Sequence, residues 1–351
     1  MTRRHGANVT LKDIAERIGV SAMTVSRALS GKDNLVNART VRRIRDVADE
    51  LGYTPNLLAR SLRGERLPTI VVFAEFISAH HYLAELMDVV ARSIEEHAHG
   101  VITCQSSNSL LAALKQFHLS GGVILAPPES LFYDDKGRPV NQIRVQEPII
   151  VIHSAVEQQF LNEISPDLAD AAFQAARHLL NLGHRRLGFL GGPAPDEEPH
   201  WFQKREEGIR KAMAARDLQD GTLRFQPCPN ATAAPAALQH LMRNDPGITA
   251  LICLNDEIAI AAIHGAQELG RRIPEDLSVV GSNDIRLARF FRPALTTVAI
   301  DVHALVENGL GILFEEIRQG GRPQPTGEPV KVLQKCELII RESTAPAPSH
   351  P

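Results

Sequence analysis

The sequence contains few aromatic residues and no long hydrophobic segment. Its 351 residues include one Trp, three Tyr and twelve Phe, together 5% of the chain. This scarcity gives little support for a broad aromatic floor of the kind that stacks on sugars. No run of about 18 apolar residues occurs, so we expect no membrane span. Residues 1–8 precede no apolar segment, which predicts that the chain lacks a secretory signal and is cytoplasmic.

Cysteine is equally scarce. The four cysteines are Cys104, Cys228, Cys253 and Cys336, and no two of them form a CxxC pair. We expect small buried side chains in a reducing compartment rather than disulfides or a metal site. The sequence also lacks GxxxxGK[ST], HExxH and GxSxG motifs, each of which marks a common class of catalytic or nucleotide site. We therefore predict no enzyme activity, no cofactor and no metal.

The net charge of −3 hides an asymmetry. Residues 1–68 have a net charge of +6, and the remainder has −9. A basic N-terminal region on an acidic body is typical of a DNA-binding head attached to a soluble domain. The length exceeds one ordinary core, so we expect two or three domains.

Residues 9–29 have the pattern of a helix-turn-helix. Thr10 is an N-cap candidate with Asp13 at the third helical position, where a carboxylate suits the helix dipole. Gly19 ends this helix because it can adopt a positive φ. Ser21 caps a second helix, whose outward face holds Ala22, Met23, Ser26 and Arg27. From spacing alone, any small helical hairpin remains an alternative.

The sequence from residue 70 onward alternates short apolar runs with amphipathic helical segments. Such alternation predicts parallel, doubly wound α/β sheets. There are too many units for one sheet, so we expect two lobes with a cleft between them, at the carboxyl ends of the strands.

Several motifs together resemble the LacI/GalR family of transcription repressors. In the head they are Val-Thr-Leu-Lys-Asp-Ile-Ala (9–15), Gly-Val-Ser (19–21), Thr-Val-Ser-Arg-Ala-Leu (24–29), Gly-Tyr-x-Pro-Asn (52–56) and Ala-Arg-Ser-Leu-Arg (59–63). In the body they include Leu-Gly-His-Arg-Arg (182–186), Leu-Asn-Asp (254–256) and Pro-x-Asp-Leu-Ser-Val-Val-Gly (274–281). The resemblance covers about residues 9–344, and it implies a body similar to periplasmic sugar-binding proteins.

The resemblance implies a division into a helix-turn-helix domain, a hinge helix with linker, an effector-binding and dimerisation domain, and a disordered tail. These are residues 1–53, 54–68, 69–344 and 345–351, with an N-lobe of about 69–165 plus 298–322 and a C-lobe of about 166–297 plus 323–344. A homodimer on a pseudo-palindromic operator follows from the same resemblance.

The resemblance also implies which residues bind DNA. Arg27 would donate twice to a guanine, although a phosphate contact alone is an alternative. Leu62 of a hinge helix would wedge into a minor-groove base step, whereas burial preference alone would place it in a core. The full predicted set is Thr10, Leu11, Ser21, Ala22, Met23, Ser26, Arg27, Thr40, Tyr53, Asn56, Ala59, Arg60, Leu62 and Arg63. Ser21 could equally act only as a cap.

In the cleft, the predicted effector-binding residues are Tyr82, His80, Asp170, Arg205, Asn255 and Asn283. A lone Asp or Arg on a helix usually belongs to a solvated face, but Asp170 and Arg205 match family ligand positions. Asn283 stands where the family usually has an aspartate that binds sugar hydroxyls, so this position lacks the charge. The single tryptophan, Trp201, could line the pocket or cap a loop.

Together these features predict a repressor controlled by a small polar effector, with a sugar or sugar-acid derivative as the favoured class. An activator, or a regulator that needs a purine-type corepressor, would use the same architecture. A solute-binding protein would share the body, but it would not need residues 9–63. The sequence does not reveal whether the effector induces or corepresses, and it does not identify the operator.

Overall fold

The computed structural model describes residues 9–29, 36–53, 66–75, 80–134, 136–143, 145–153, 156–192, 200–218, 222–320 and 328–348. The chain divides into two compact units, Met1–Glu65 and Arg66–Pro351. The predicted hinge residues Asn56, Ala59, Arg60, Leu62 and Arg63 lie outside the described residues. Within the described part, no helix combines the length and the apolar character that crossing a membrane requires.

The described residues of the first unit form three helices: α1 (Leu11–Ile18), α2 (Ala22–Leu29) and α3 (Ala38–Leu51). Thr10 and Asp13 form a reciprocal capping box, in which the Asp13 carboxylate accepts from the Thr10 backbone N–H at 2.7 Å. Gly19 ends α1 at a φ of 77°. The predicted start and end of α1 are thus confirmed, because both are decided by residues within one turn.

One small apolar cluster holds the head together. The interhelical core consists of seven buried side chains: Ile14, Ala15, Val25, Ala28, Val41, Ile44 and Ala48. α2 and α3 contribute residues at spacings of three, four or seven, which place them on one face. α1 contributes the adjacent pair Ile14 and Ala15. A core of this size leaves the head with little stability in reserve.

The second unit contains two six-stranded sheets, which we call the N-lobe and C-lobe sheets. The strands are β1 (Leu67–Ala74), β2 (Gly100–Cys104), β3 (Leu119–Leu125), β4 (Ile149–Ile152), β5 (Asn162–Pro166), β6 (Leu187–Leu190), β7 (Leu223–Gln226), β8 (Ala250–Cys253), β9 (Ser278–Asn283), β10 (Thr296–Ala299), β11 (Lys331–Gln334) and β12 (Glu337–Ile339). Their orders are β11-β5-β4-β3-β1-β2 and β12-β10-β9-β8-β6-β7. Only the β10–β12 pair is antiparallel among the strand pairs described, so the predicted fold class is confirmed.

Helices cover both sheets. They are α4 (His81–Glu96), α5 (Ser107–Gln116), α6 (Leu168–Asn181), α7 (His200–Ala214), α8 (Ala234–Asn244), α9 (Asp256–Glu268), α10 (Arg286–Phe290) and α11 (Val302–Arg318). Buried apolar strands such as β3 and β4 are typical of parallel sheets with both faces covered. The described cysteines are all free and buried, as the sequence predicts.

The predicted lobe boundary is wrong at residues 331–334. They were assigned to the C-lobe, but β11 pairs in parallel with β5 at the edge of the N-lobe sheet. The Asn162 side chain accepts from the Val330 backbone N–H at 2.9 Å, and Lys331 forms an ion pair with Glu163 at 2.8 Å. After α11 the chain therefore returns to the first sheet before it crosses to the second, a long-range pairing without a local sequence signal.

The predicted disordered tail is also wrong for residues 345–348, which the structure describes. The backbone N–H of Ala347 donates to the Leu182 carbonyl at 2.8 Å. The buried His184 contacts the Ala345 carbonyl at 3.0 Å through Nε2, and its Nδ1 contacts Thr249 Oγ1 at 2.9 Å. A proline-rich segment can thus be ordered by its backbone carbonyls and N–H groups although it buries few side chains.

Candidate functional site

The outer face of α2 is one of two candidate sites. Met23 is 63% exposed, Arg27 is exposed, and Ala22 and Ser26 are half-buried. Val25 and Ala28 point into the head core. The structure therefore presents Met23 and Arg27 on the exposed side of α2, where a major groove could accept them. Ala22, which the sequence predicts on the same outward face, instead packs against the head core. Base contact by these residues stays a prediction.

Several other predicted DNA contacts have structural roles in the head. Ser21 Oγ accepts from the Thr24 backbone N–H at 3.1 Å, which is the cap role that the sequence left open. Leu11 and Tyr53 pack against the head core. Thr40 is half-buried in the first turn of α3. Phosphate contact by these residues and by Thr10 is compatible with their positions but stays a prediction.

The second candidate site is a cavity of about 170 Å³ within the body. Its lining consists of His80, Tyr82, Leu83, Ala126, His153, Leu168, Trp201, Arg205, Leu254, Asn255, Asp256, Glu257, Asn283 and Ile285. Both lobes contribute, so the cavity lies in the predicted cleft. Five of the six predicted effector-binding residues are in this lining, and their contact with a ligand stays a prediction.

Asp170 is the exception, because it is absent from the described lining. It lies in the first turn of α6, where its carboxylate accepts from Gln174 Nε2 at 2.7 Å. The neighbouring Leu168 occupies the wall instead. The prediction rested on the match to a family ligand position, and such a match does not decide which residue of a first turn faces the cavity in this chain.

Three lining residues have an unusual backbone conformation. Ala126, His153 and Asn283 have positive φ angles of 42°, 58° and 103°. The first two directly follow β3 and β4, and Asn283 is the last residue of β9. Such conformations cost free energy and are concentrated at functional sites, where surrounding packing enforces them. They turn the chain at the carboxyl ends of three strands, where ligands of doubly wound sheets bind.

Arg205 supplies a cation to the cavity wall. It is half-buried on α7, where its Nη1 donates to the Trp201 carbonyl at 3.1 Å and its guanidinium lies 5.7 Å from the Trp201 ring centroid. Removal from water lowers the pKa of Arg205 to about 10. The group nevertheless remains charged at neutral pH.

Tyr82 and His153 form a hydrogen-bonded pair in the N-lobe wall. The Tyr82 hydroxyl and His153 Nδ1 are 3.0 Å apart, and the two rings are tilted by 52°. Burial, together with the charge of Arg205, lowers the pKa of His153 to about 3. Burial also raises the pKa of Tyr82. At neutral pH this pair is therefore uncharged.

The C-lobe wall contains a carboxyl group with internal partners. Asp256 Oδ1 accepts from the Thr297 hydroxyl at 2.5 Å, and its Oδ2 accepts from the Ile285 backbone N–H at 2.8 Å. Burial raises the pKa of Asp256 to about 7. The adjacent Asn255 caps α9 by accepting from the Ile258 backbone N–H at 2.9 Å, which leaves the NH₂ of its amide free to face another partner.

A third feature, which we call the clasp, joins the two lobes beside the cavity. It consists of Glu257 at the start of α9 and of His80 and His81 at the start of α4. Glu257 Oε1 accepts from the His81 backbone N–H at 2.9 Å and contacts His81 Nδ1 at 2.5 Å, while His80 Nδ1 is 3.8 Å from Oε2. Burial opposes ionisation of Glu257, but the contacts with His80 and His81 outweigh it and lower the pKa to about 2.

A wider groove of about 710 Å³ shares Leu168 and Trp201 with the cavity. Its lining includes five carboxylates and only two cations: Glu157, Glu163, Asp167, Glu207 and Glu328 against Lys204 and Lys331. Acidic side chains therefore outnumber basic ones in the lining of this groove.

Sequence reasoning did not identify His153, Asp256 or Glu257 as cavity residues. A usable signal was present for His153, which immediately follows the apolar run 149–152 and therefore the carboxyl end of a strand. Glu257 has no comparable signal, because its partners lie more than 170 positions earlier in the chain. Among the described residues, no group of three metal-ligating side chains is present.

Comparison with known proteins gives matches in both units. A family model described as bacterial regulatory proteins, lacI family, matches residues 10–56, and a periplasmic binding protein-like domain matches residues 176–344. The HTH-type transcriptional repressor PurR of Pectobacterium atrosepticum is 30% identical over 322 residues, covering 88% of this chain and 90% of that protein.

Solved structures agree in fold. The lac repressor dimer bound to operator and the anti-inducer ONPF superposes with a TM-score of 0.77 at 23% identity, covering 97% of this chain and 100% of that one. A complex of the transcriptional regulator CelR with cellobiose gives a TM-score of 0.66 at 24% identity, covering 96% of this chain and 100% of that one.

Proposed function

Because this chain belongs to the LacI family of bacterial regulatory proteins, we propose that it is a homodimeric, cytoplasmic repressor whose operator binding depends on a small effector. The family membership rests on the repressor relative that matches nearly the whole chain. The observation that supports the effector most directly is the cavity between the lobes, with Arg205 and three conformationally unusual residues in its wall.

On the DNA side, we propose that α2 enters the major groove with Arg27 and Met23 reading the base edges. The exposure of both side chains and the basic character of residues 1–68 support this placement. Arg27 would distinguish guanine by about 1–3 kcal/mol. Leu62 of each paired hinge would wedge into the centre of the operator.

On the effector side, a sugar or a sugar acid is the class that the sequence analysis favours. A purine-type corepressor is the alternative, because a regulator that needs one would use the same architecture. We propose that the ligand changes the angle between the lobes and thereby the fit of the paired hinges to DNA. For this to occur the ligand must bind one arrangement of the lobes more tightly than the other.

The test begins with selection of an operator from random duplex DNA by the full-length protein. Arg27→Ala should then reduce discrimination at one guanine of each half-site by about ten- to a hundredfold. Arg42→Ala, which removes an exposed cation from α3, is the matched control and should weaken all sequences alike. Failure of the wild-type chain to enrich any sequence would contradict a DNA-binding function. A uniform loss in Arg27→Ala would instead assign that residue to a phosphate.

A further inference from the structure

Arg205 is a cation without an anionic partner among the described residues. Its two contacts there are a carbonyl oxygen and an indole ring, both from Trp201. The described groups that influence its pKa through charge are Tyr82 and Cys336, whose own pKa values burial raises, so that both are neutral at pH 7. A partly desolvated cation in a cavity wall is costly unless something anionic binds to it.

The carboxyl groups of the cavity wall do not fill this role. Asp256 is engaged by Thr297 and the Ile285 backbone, and Glu257 is engaged by the clasp. The polar groups that remain for a ligand include two donors, the Arg205 guanidinium and the amide NH₂ of Asn255, and the Asn283 amide, which can both donate and accept. A neutral polyol needs paired acceptors as well as donors, because each hydroxyl also donates.

A large part of the remaining wall is apolar. Leu83, Leu168, Leu254 and Ile285 form it together with the faces of Trp201 and Tyr82. The volume of about 170 Å³ is close to that of a roughly 150 Å³ apolar cavity known to accept a benzene ring. The hydroxyls of a monosaccharide would lose hydrogen bonds to water against four aliphatic side chains.

We infer that the effector is a small monocarboxylate with a single apolar ring, whose carboxylate binds Arg205 and whose ring lies against the leucines and Trp201. This inference rests on the proposed function for its regulatory meaning, but it concerns the cavity alone. Of the favoured sugars and sugar acids, it keeps only the carboxylate of the acids. It replaces their polyhydroxylated skeleton with an apolar ring.

The test uses Trp201, the only tryptophan in the chain, which lines the cavity and lies over Arg205. Its emission is titrated in the full-length protein with cyclohexanecarboxylate, with cyclohexylmethanol as its uncharged analogue, and with ribose and gluconate as polyols without and with a carboxylate. Calorimetry checks each titration independently. We expect cyclohexanecarboxylate to bind at least about tenfold more tightly than each of the other three, a difference of about 1.4 kcal/mol.

Variants connect this preference to the guanidinium. Arg205→Met should abolish the preference for the acid over the alcohol, while leaving weak binding of the ring. Arg210→Met is the matched control, because it removes a guanidinium from the same helix. Unlike that of Arg205, the guanidinium of Arg210 forms an ion pair with Glu206. This control should keep the preference.

Three outcomes would overturn the inference: ribose or gluconate binding more tightly than cyclohexanecarboxylate, no binding of any acid, or an acid preference that survives in Arg205→Met. Each would leave operator binding untouched. Conversely, the acid could bind through Arg205 while the protein selects no DNA sequence. That result would contradict the proposed function and support the inferred ligand class.

Discussion

The two candidate sites of this protein differ in how they are built. The α2 face consists of residues within one eight-residue helix, and Met23 and Arg27 on it are exposed because the opposite side of the helix is buried. The cavity is lined by residues between positions 80 and 285, which lie near the ends of strands and helices in both lobes. A local surface thus depends on a small core of seven side chains, whereas the cavity depends on the packing of the whole body. The head should therefore be the more fragile unit and the body the more sensitive to precise geometry.

The largest expected effect is a loss of stability in the head that leaves the stability of the body unchanged. Ile44→Ala removes a fully buried side chain from the head core, at a cost of about 2–5 kcal/mol. For a head of this size the loss approaches the total free energy of unfolding. Amides of residues 9–53 should lose protection from hydrogen exchange, and operator binding should disappear, while Trp201 emission stays native.

The matched control is Ile94→Ala, which makes the same change at a fully buried position of α4 in the body. It should lower the body's melting temperature, followed by Trp201, and leave the head protected. Equal loss of protection in both units for either variant would mean that they unfold together.

The second effect concerns the close packing behind Arg205. A Cβ at Gly208 on α7 would lie 2.0 Å from the carbonyl oxygen of Ala169 on α6, so Gly208→Ala must separate the two helices. We expect a loss of about 1–3 kcal/mol in the body and weaker ligand binding, because Arg205 lies one turn away. Gly311→Ala on α11 is the control, since a Cβ there meets nothing within 4 Å. It should stabilise the body by roughly 0.5–1 kcal/mol, and the prediction fails if both variants behave alike.

A third, smaller effect is expected from removing equivalent helix N-caps in the head and in the body. Thr10→Ala removes the N-cap of the capping box of α1 and should cost about 1 kcal/mol. Ser106→Ala removes the corresponding cap of α5 in the body. If the head has less stability in reserve, the first change should raise hydrogen exchange throughout residues 9–53, whereas the second should affect only residues near α5. Local effects in both cases would remove the proposed difference in fragility.

The smallest effect depends on pH and belongs to the body. Burial lowers the pKa of His184 below its usual 6.5, so its neutral form stabilises the fold. That stability is complete above about pH 6.5 and is lost as the pH falls through the folded-state value. His184→Gln has no such titration. The difference in melting temperature between wild type and variant, followed by Trp201, should therefore shrink below about pH 6.5, and a difference independent of pH would contradict this role.

The sequence by itself determined the helix-turn-helix and most of the α/β alternation. Thr10, Gly19 and Ser21 act on their own helix ends, and the apolar periodicity of α1 to α3 selects one buried face. These effects operate within about four residues, so a sequence pattern contains them. Most of the predicted strands and helices of the body, among them β4 and α6, follow from the same local rules.

Tertiary structure alone decided the rest. Local sequence does not indicate that residues 331–334 join the N-lobe sheet, that the tail at 345–348 is ordered by Leu182 and His184, or that Leu168 rather than Asp170 faces the cavity. The charge state of His153 and the lack of an anionic partner for Arg205 among the described residues likewise depend on distant groups. The physical reason is that hydrogen-bond pairing and desolvation depend on which groups the fold brings within a few ångströms, and sequence separation does not limit that choice.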